Sequence, residues 1–390
     1  MKGSVLGRLW CVIVYILSYI PLCVAVSIGL DSYMATIPVG TSAPYSLFFY
    51  QGAVISFVSV LISLFLHIII HELGHMVGGL LTGYRFLSFR IGSLMLLRTE
   101  QGFRFKRFAL SGTAGQCLMV PPKTNAPDMP TTIYNISGAA ANMIFTGLGA
   151  VLAVLLRTNV YLFIFFLMFA TAGFATAAMN ALPMKTAGIA NDGYNAILLS
   201  GSHDAKRAMS VQLGANAEQM RGVRLKDMPE EWFYESSPEQ LSNVHVAAHA
   251  MLLPGRLMDE GRLDAALLKM RELLDSGAAL LPIYEGLLRC DMAYCTVALG
   301  GDDATAQRLL TQAARSVMKS MNRYPAIIRT EYALAISDGR QATANALMRK
   351  LEKVARTYPS EAELATEYSL IRVIDERSVG NEGNEGNEAF

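Results

Sequence analysis

The sequence has few charged side chains, and neither sign is in excess. Asp, Glu, Lys and Arg make up 17% of the 390 residues, and the formal net charge is +1. Nucleic acid and other polyanions are bound through strongly basic surfaces, and this composition offers no sign of one. We therefore expect no nucleic-acid partner.

Cysteine is also scarce, and its five copies are widely spread. Cys11 and Cys23 share an apolar stretch, Cys117 stands alone, and Cys290 and Cys295 lie in a predicted helix. This spacing gives neither a disulfide framework nor a paired-cysteine zinc motif. A regulatory thiol pair at Cys290 and Cys295 is left open.

Apolar side chains, in contrast, crowd into the first half of the chain. Hydrophobic residues make up 52% of the sequence, and charged residues recur every few positions only in the second half. A helix of ~20 apolar residues crosses a bilayer core, and four windows reach that length. They are 9–30, 50–81, 133–156 and 160–182. The sequence thus predicts a mainly α, polytopic membrane protein with about four transmembrane helices.

The first window is predicted to be a retained span, because Pro21 interrupts it and no small-residue cleavage site follows. Lys and Arg flank the spans unevenly. Lys2 and Arg8 precede the first span and several basic residues follow the second, whereas 31–49 has none. The positive-inside rule places the N-terminus, residues 83–132 and the C-terminal half in the cytoplasm. The compact architecture favours a bacterial plasma membrane.

Residues 71–75, inside the second window, read His-Glu-Leu-Gly-His. Positions i and i+4 of a helix share one face, so His71 and His75 can bind the same zinc ion while Glu72 activates water as general base. A five-residue pattern can arise by chance. Ionisable side chains are costly at membrane depth, however, unless they serve a polar, functional interior. We predict a catalytic zinc centre.

Two imidazoles leave a catalytic zinc ion one protein ligand short, because such sites normally have three. Asp192 is the candidate for the third ligand. It follows the fourth span and is expected on the same side of the membrane as the two histidines. His67 lies one helical turn before His71, and two interpretations of it stay open: contact with the metal or its surroundings, or packing and hydrogen bonding one turn away.

The motifs between about residues 50 and 200 resemble those of the site-2 protease family of intramembrane zinc metalloproteases. A membrane-embedded His-Glu-x-x-His is followed two spans later by Asn-Ala-Leu-Pro at 180–183 and then by Asp-Gly at 192–193. The chain departs from the family in one respect. Eight residues separate Pro183 from Asp192, which is more than the family usually has.

The resemblance implies a role for each matched residue. The zinc ligands would be His71, His75 and Asp192, the general base Glu72, and a substrate-binding residue Asn180. Gly138-Ala-Ala-Ala-Asn142 is similar to a motif that the family places beside the site, which adds Asn142 as a second substrate-binding residue. Both asparagines could instead form hydrogen bonds between helices.

The activity implied is hydrolysis of peptide bonds in or near transmembrane segments. Its partners would be membrane-anchored proteins or peptide precursors as substrates, with membrane lipid around the enzyme. The alternative is a non-proteolytic membrane scaffold with a zinc-binding or vestigial core, which displays the C-terminal domain to a cytoplasmic protein partner.

Residues 84–132 are predicted to form a small cytoplasmic β-hairpin insert. Alternating apolar positions at 86–92 and 103–108 predict two strands around a turn at 100–102, and the proline-rich stretch 121–130 predicts a loop. The insert is either a plain linker or an amphipathic sheet whose edge receives substrate.

The C-terminal half, residues 201–376, is predicted to be a soluble α-helical-repeat domain of tetratricopeptide-like type. Segments that begin at Gly261, Gly301 and Gly339 recur about 40 residues apart. The remaining predicted domains are 1–48 for the first span and its extracytoplasmic loop, 49–200 for the catalytic core, and 377–390 for a disordered tail.

Overall fold

The structure is a computed structural model that describes residues 5–42, 44–99, 102–108, 113–186 and 189–385. It is mainly helical with a small antiparallel sheet. The chain divides into two compact units. The first unit comprises Met1–Ile91, Ala114–Met119 and Pro130–Ser202, and the second comprises Gly92–Thr113, Val120–Met129 and His203–Phe390.

Four helices of the first unit are long and apolar enough to cross a membrane, which confirms the four predicted apolar segments. A short fifth helix follows them. The helices are α1 (Val5–Met34), α2 (Tyr45–Leu81), α3 (Thr132–Leu155), α4 (Val160–Ala181) and α5 (Asp192–Ser200).

Helix α2 packs closely against α3 through small residues. A Cβ added at Gly74 would lie 2.7 Å from the Ala141 Cβ and 2.9 Å from the Gly138 Cα. The backbones can approach this closely only because these positions carry almost no side chain. The close approach brings the motif of α2 next to the Gly138 region of α3.

The sheet differs in part from the predicted hairpin. Its strands are β1 (Arg85–Ile91), β2 (Leu94–Thr99), β3 (Gly102–Arg107) and β4 (Gly115–Val120). Residues 100 and 101 of the predicted turn lie outside the described residues, and the strand that pairs with β3 is β2, in a register from Leu94↔Arg107 to Thr99↔Gly102. The run Leu94-Met-Leu-Leu97 hides the period-2 alternation that would have revealed β2.

The strand β4 was not predicted either, and it lies beside β1 in the sheet. Most of its side chains are at least half-buried, so it too lacks a clean alternation. Two very short strands, β5 (Lys185–Thr186) and β6 (Ile189–Ala190), pair between α4 and α5.

The second unit is helical around a conventional apolar core. Pro282 and Pro325 occupy the first positions of α10 and α13. Gly261 and Gly339 have φ of +78° and +67° just before α9 and α14, a conformation that favours glycine. The helices are α6 (His203–Met220), α7 (Val244–Ala250), α8 (Leu252–Asp259), α9 (Leu263–Asp275), α10 (Pro282–Ala298), α11 (Asp303–Leu309), α12 (Gln312–Ser320), α13 (Pro325–Ser337), α14 (Gln341–Ala355) and α15 (Glu361–Glu385).

The last helix enters the segment 377–390 that the sequence predicts to be disordered. The backbone is helical as far as Glu385. Residues 386–390 of the predicted tail lie outside the described residues.

Candidate metal centre

Three side chains predicted as ligands converge at one point. His71 and His75 project from the same face of α2, and Asp192 is the first residue of α5. The Nε2 atoms of the two histidines are 3.1 Å apart. The Asp192 Oδ2 lies 2.9 Å from the His71 Nε2 and 3.3 Å from the His75 Nε2. Ligand atoms around a tetrahedral ion at ~2.0–2.1 Å lie about 3.3 Å apart. These three residues could therefore hold a metal ion.

The surroundings of the three donors also fit a cation. A Cβ added at Gly138 would lie 2.6 Å from the His75 Nε2 and 2.8 Å from the His71 Nε2, so glycine leaves this side of the donors clear. The buried Asp192 Oδ2 has no properly oriented hydrogen bond within the described part of the chain, although both imidazoles lie beside it. Three ligand atoms that point at one another in a buried position are typical of a metal site.

The orientation of His75 is fixed from behind. Its Nδ1 lies 2.7 Å from the carbonyl oxygen of Tyr134. A carbonyl only accepts hydrogen bonds, so the Nδ1 carries the proton and the Nε2 presents its lone pair toward the other two donors.

Asp192 is in its ionised form. Burial of the carboxyl disfavours its charge, but hydrogen bonds and positive charge from the His71 and His75 imidazoles, when these are protonated, outweigh that effect and hold the pKa of Asp192 well below its usual range. A carboxylate, not a carboxylic acid, is the form that binds a metal ion.

The long spacing between Pro183 and Asp192 is absorbed by the strands β5 and β6. The Asn191 N–H donates to the Met184 carbonyl (3.1 Å), and the Met184 N–H donates to the Asn191 Oδ1 (3.1 Å). The extra residues therefore form a loop that is closed at its base. Residues 187 and 188, which separate the two strands in the sequence, lie outside the described residues.

Asn191 is a functional residue that the sequence reasoning missed. Its amide donates to the carbonyls of Met179 (2.7 Å) and Leu182 (2.6 Å), at the end of α4. Its Oδ1 also accepts from the Tyr194 N–H (3.0 Å) and caps α5. Asparagine directly before an acidic first turn is an N-cap signal that could have identified it.

Glu72 lies beside the ligands, as a residue adjacent to His71 on α2 must. It is 8% exposed, and a Cβ added at Gly115 of β4 would lie 2.7 Å from its Oε1. Its carboxyl is engaged by the backbone of Cys117. Strand β4, which the sequence did not reveal, therefore forms the wall against which the general-base candidate packs.

Arg90 is a second residue that the sequence reasoning missed. It is 1% exposed on β1, and burial lowers its pKa while the charge of Glu72 opposes that shift. Arg90 therefore adds a buried positive charge to the surroundings of Glu72.

Asn180 lies at the end of α4, where α5 meets it. A Cβ at Gly193 would lie 3.2 Å from the Asn180 carbonyl oxygen, so the two segments are in close contact. The side-chain amide of Asn180 donates to the Thr176 carbonyl of its own helix at 2.9 Å. Its role in substrate binding stays a prediction.

Asn142 and His67 lie behind His71, and both are fully buried. The Asn142 Nδ2 lies 3.2 Å from the His71 Nδ1, and the Asn142 Oδ1 lies 3.1 Å from the His67 Nδ1. The His67 Nε2 lies 3.0 Å from the Phe169 carbonyl oxygen. Both ring nitrogens of His67 thus have partners other than a metal, which favours the interpretation that it forms hydrogen bonds one turn from the site. A substrate-binding role for Asn142 stays a prediction.

Protein-family models, curated proteins and solved structures were all compared with this chain, and none of them matches it.

Proposed function

We propose that this chain is an intramembrane zinc metalloprotease of the site-2 protease type. One observation carries the proposal: two imidazoles of a helix apolar enough to cross a membrane converge with a carboxylate, beside a buried glutamate of the same helix. Three protein ligands of this kind leave a position open, as catalytic zinc sites do.

The donor set favours zinc over magnesium and calcium. Imidazole nitrogen suits Zn²⁺, whereas Mg²⁺ and Ca²⁺ prefer sites built from oxygen ligands. A zinc ion held by His71, His75 and Asp192 would polarise the scissile carbonyl and lower the pKa of water.

Glu72 then performs the proton transfers. As a carboxylate it takes a proton from water, whose oxygen forms a bond to the carbonyl carbon of the substrate. When the C–N bond breaks, Glu72 delivers that proton to the leaving nitrogen. The products are a carboxyl group and an amine, and the carboxylate is regenerated.

The substrate class follows from the surroundings of the site. A peptide bond that reaches these helices sideways through lipid belongs to a membrane-anchored protein or to a peptide precursor. Amides of a transmembrane helix are bonded internally, so the helix must unwind before cleavage. Small or helix-breaking residues in the substrate would ease that step.

The test compares membrane proteomes of cells that carry the wild-type chain or Glu72→Gln. Glutamine has the size of glutamate but cannot take up the proton, so single-span proteins or precursor fragments should accumulate in the variant. Glu376→Gln, at an exposed position of α15, is the matched control and should show no accumulation. Identical proteomes for all three chains, at equal expression and with any inducing signal supplied, would support the scaffold alternative instead.

A further inference from the structure

Four buried groups form a line of hydrogen bonds that ends at a metal-ligand candidate. They are the Phe169 carbonyl, His67, Asn142 and His71, with separations of 3.0, 3.1 and 3.2 Å. His67 and Asn142 are 0% exposed, and His71 is 8% exposed. The proton positions along this line decide which nitrogen of His71 can bind a metal.

The proton positions can be assigned by starting from the Phe169 carbonyl. The Phe169 carbonyl only accepts, so the His67 Nε2 carries a proton. With the Asn142 oxygen toward His67, as the structure places it, the His67 Nδ1 has to carry a proton too, and a fully buried imidazole is then positively charged. Burial of such a charge is costly. A neutral His67 instead requires the Asn142 NH₂ group to donate to its Nδ1.

The inner end gives the same answer independently. If the Asn142 NH₂ group faced His71, the His71 Nδ1 would have to accept, and the proton would sit on Nε2. That proton would block the atom that lies 2.9 Å from Asp192 and 3.1 Å from the His75 Nε2. If the oxygen of Asn142 faces His71, the proton sits on Nδ1 and the Nε2 lone pair is free. Turning the Asn142 amide over, so that its NH₂ group faces His67 and its oxygen faces His71, therefore satisfies both ends, and the O and N positions of an amide are assigned from such a network.

We infer that Asn142 is a positioning residue of the metal centre and that His67 holds it in place. The His71 Nδ1–H donates to the Asn142 Oδ1, the Asn142 amide donates to the His67 Nδ1, and the His67 Nε2–H donates to the Phe169 carbonyl. This arrangement fixes the tautomer and the ring orientation of His71. The inference rests on the metal site of the proposed function.

The packing around His67 supports a built arrangement. A Cβ added at Gly173 of α4 would lie 2.5 Å from the His67 Nε2, so glycine at this position makes room for the ring. The His67 ring also packs on that of Phe169, with centroids 4.3 Å apart. Contacts from α3 and α4 therefore leave His67 little freedom to turn.

The two zinc ligands of α2 are supported in different ways. His75 donates to a backbone carbonyl, which no substitution removes, whereas His71 depends on a side chain. Changes at Asn142 should therefore affect metal binding through His71 alone. A residue that only contacted substrate would leave the zinc affinity unchanged.

The test measures zinc affinity of the purified full-length protein by competition with a chelator. Asn142→Leu keeps the size but removes the acceptor, and loss of such support typically costs 10–100-fold in affinity. Asn142→Asp keeps an acceptor for His71 and should restore most of that affinity. Asn135→Leu is the matched control, because Asn135 is buried two turns earlier in α3 and donates to Thr131.

A second readout reports on geometry and not on affinity. In cobalt-substituted protein the visible absorption bands depend on ligand orientation, so Asn142→Leu should shift them while Asn135→Leu should not. His67→Phe keeps the ring shape but removes the partner of Asn142, and it should weaken zinc binding less than Asn142→Leu. This variant also serves if Asn142→Leu does not fold.

The outcomes separate the two proposals. A wild-type protein that binds no zinc would contradict the proposed function. A wild-type protein that binds zinc, with unchanged affinity and spectra in Asn142→Leu and His67→Phe, would overturn the positioning role alone. Weakening in both variants with restoration by Asn142→Asp is the expected result.

Discussion

The two units of the chain bury opposite kinds of side chain. In α2 of the first unit the buried positions are glycine, serine, histidine and glutamate, while large apolar side chains such as Val77 and Leu80 are each 52% exposed. In the second unit the core is built from leucine, isoleucine, methionine and tyrosine. The first pattern suits a surrounding of lipid and the second a surrounding of water.

Both units also bury charge, but in different states. In the second unit Arg329, 1% exposed, pairs with Asp291 and with Glu367, whose Oε2 lies 3.0 Å away, and it stacks over Tyr294. In the first unit the donors of His71, His75 and Asp192 face one another. Buried charges that neutralise one another are structural, whereas metal-binding atoms that converge on one point indicate a ligand.

The largest expected effect on zinc binding comes from adding a side chain at Gly138 in the first unit. In Gly138→Ala the new Cβ would press on both imidazoles, so zinc affinity should fall by ~100-fold or more, as when a ligand loses its geometry. Gly147→Ala, in the same helix with no atom near its Cβ, is the control. Zinc affinity is measured by chelator competition. Equal affinity in the two variants would show that metal binding does not need the space that Gly138 leaves beside the two imidazoles.

The second expected effect is on the stability of the second unit and concerns the buried ion pairs of Arg329. Arg329→Met leaves Asp291 and Glu367 without their cation, and breaking a buried pair typically costs ~3–5 kcal/mol of unfolding free energy. Arg340→Met removes an exposed pair with Asp338 and should cost under ~1 kcal/mol. Both changes in unfolding free energy are measured by denaturant unfolding, with hydrogen exchange of α13 and α15 as the probe. Similar costs would show that the Arg329 cluster adds nothing special.

A pH dependence sharpens the same contrast. Burial raises the pKa of Glu367 from 4.5 to about 7, against the opposing charge of Arg329. The folded unit therefore binds this proton more tightly than the unfolded chain. Its contribution to stability is complete below pH 4.5 and is lost as the pH rises through about 7. The negative charges of three nearby acids also raise the pKa of Glu367; they are those of Asp291, Glu363 and Asp259.

Glu367→Gln should flatten the slope of the unfolding free energy between pH 4.5 and 7. An exposed carboxyl, such as that of Glu376, should leave the slope unchanged when replaced by glutamine. An unaltered slope in Glu367→Gln would mean that the carboxyl ionises normally.

The smallest effect tests how the loop carries Asp192 into place. Asn191→Ala removes the cap of α5, worth ~1 kcal/mol, together with two bonds to the end of α4. We expect zinc affinity to fall several-fold, less than for Gly138→Ala. Asn195→Ala, one turn further on, removes only a long contact to Ala190 (3.5 Å) and is the control. Equal affinities would exclude the positioning role of Asn191.

The parts of the site that the sequence revealed are those that local geometry dictates. His71, Glu72 and His75 lie within two turns of one helix, where spacing alone fixes their relative positions. Asp192 was found through its place after the fourth span. The path of the chain from Pro183 to Asp192 could not be predicted, because the sequence of the short strands β5 and β6 has no strand pattern.

The rest of the site depends on contacts between distant segments. Arg90 and the β4 wall approach Glu72 only after the sheet forms, and the Leu94–Leu97 run obscures the sheet in the sequence. Asn142 was visible as part of a motif, but its partners His67 and His71 come from another helix. Periodicity predicts which face of a helix is buried, not which polar groups meet there.

The most direct test of the metal centre is the zinc content of the intact protein by native mass spectrometry, for the wild-type chain and for Asp192→Ala. The account predicts one zinc ion per wild-type chain and little or none in the variant, with both proteins folded. A wild-type chain without zinc after loading, or equal zinc in both chains, would contradict it.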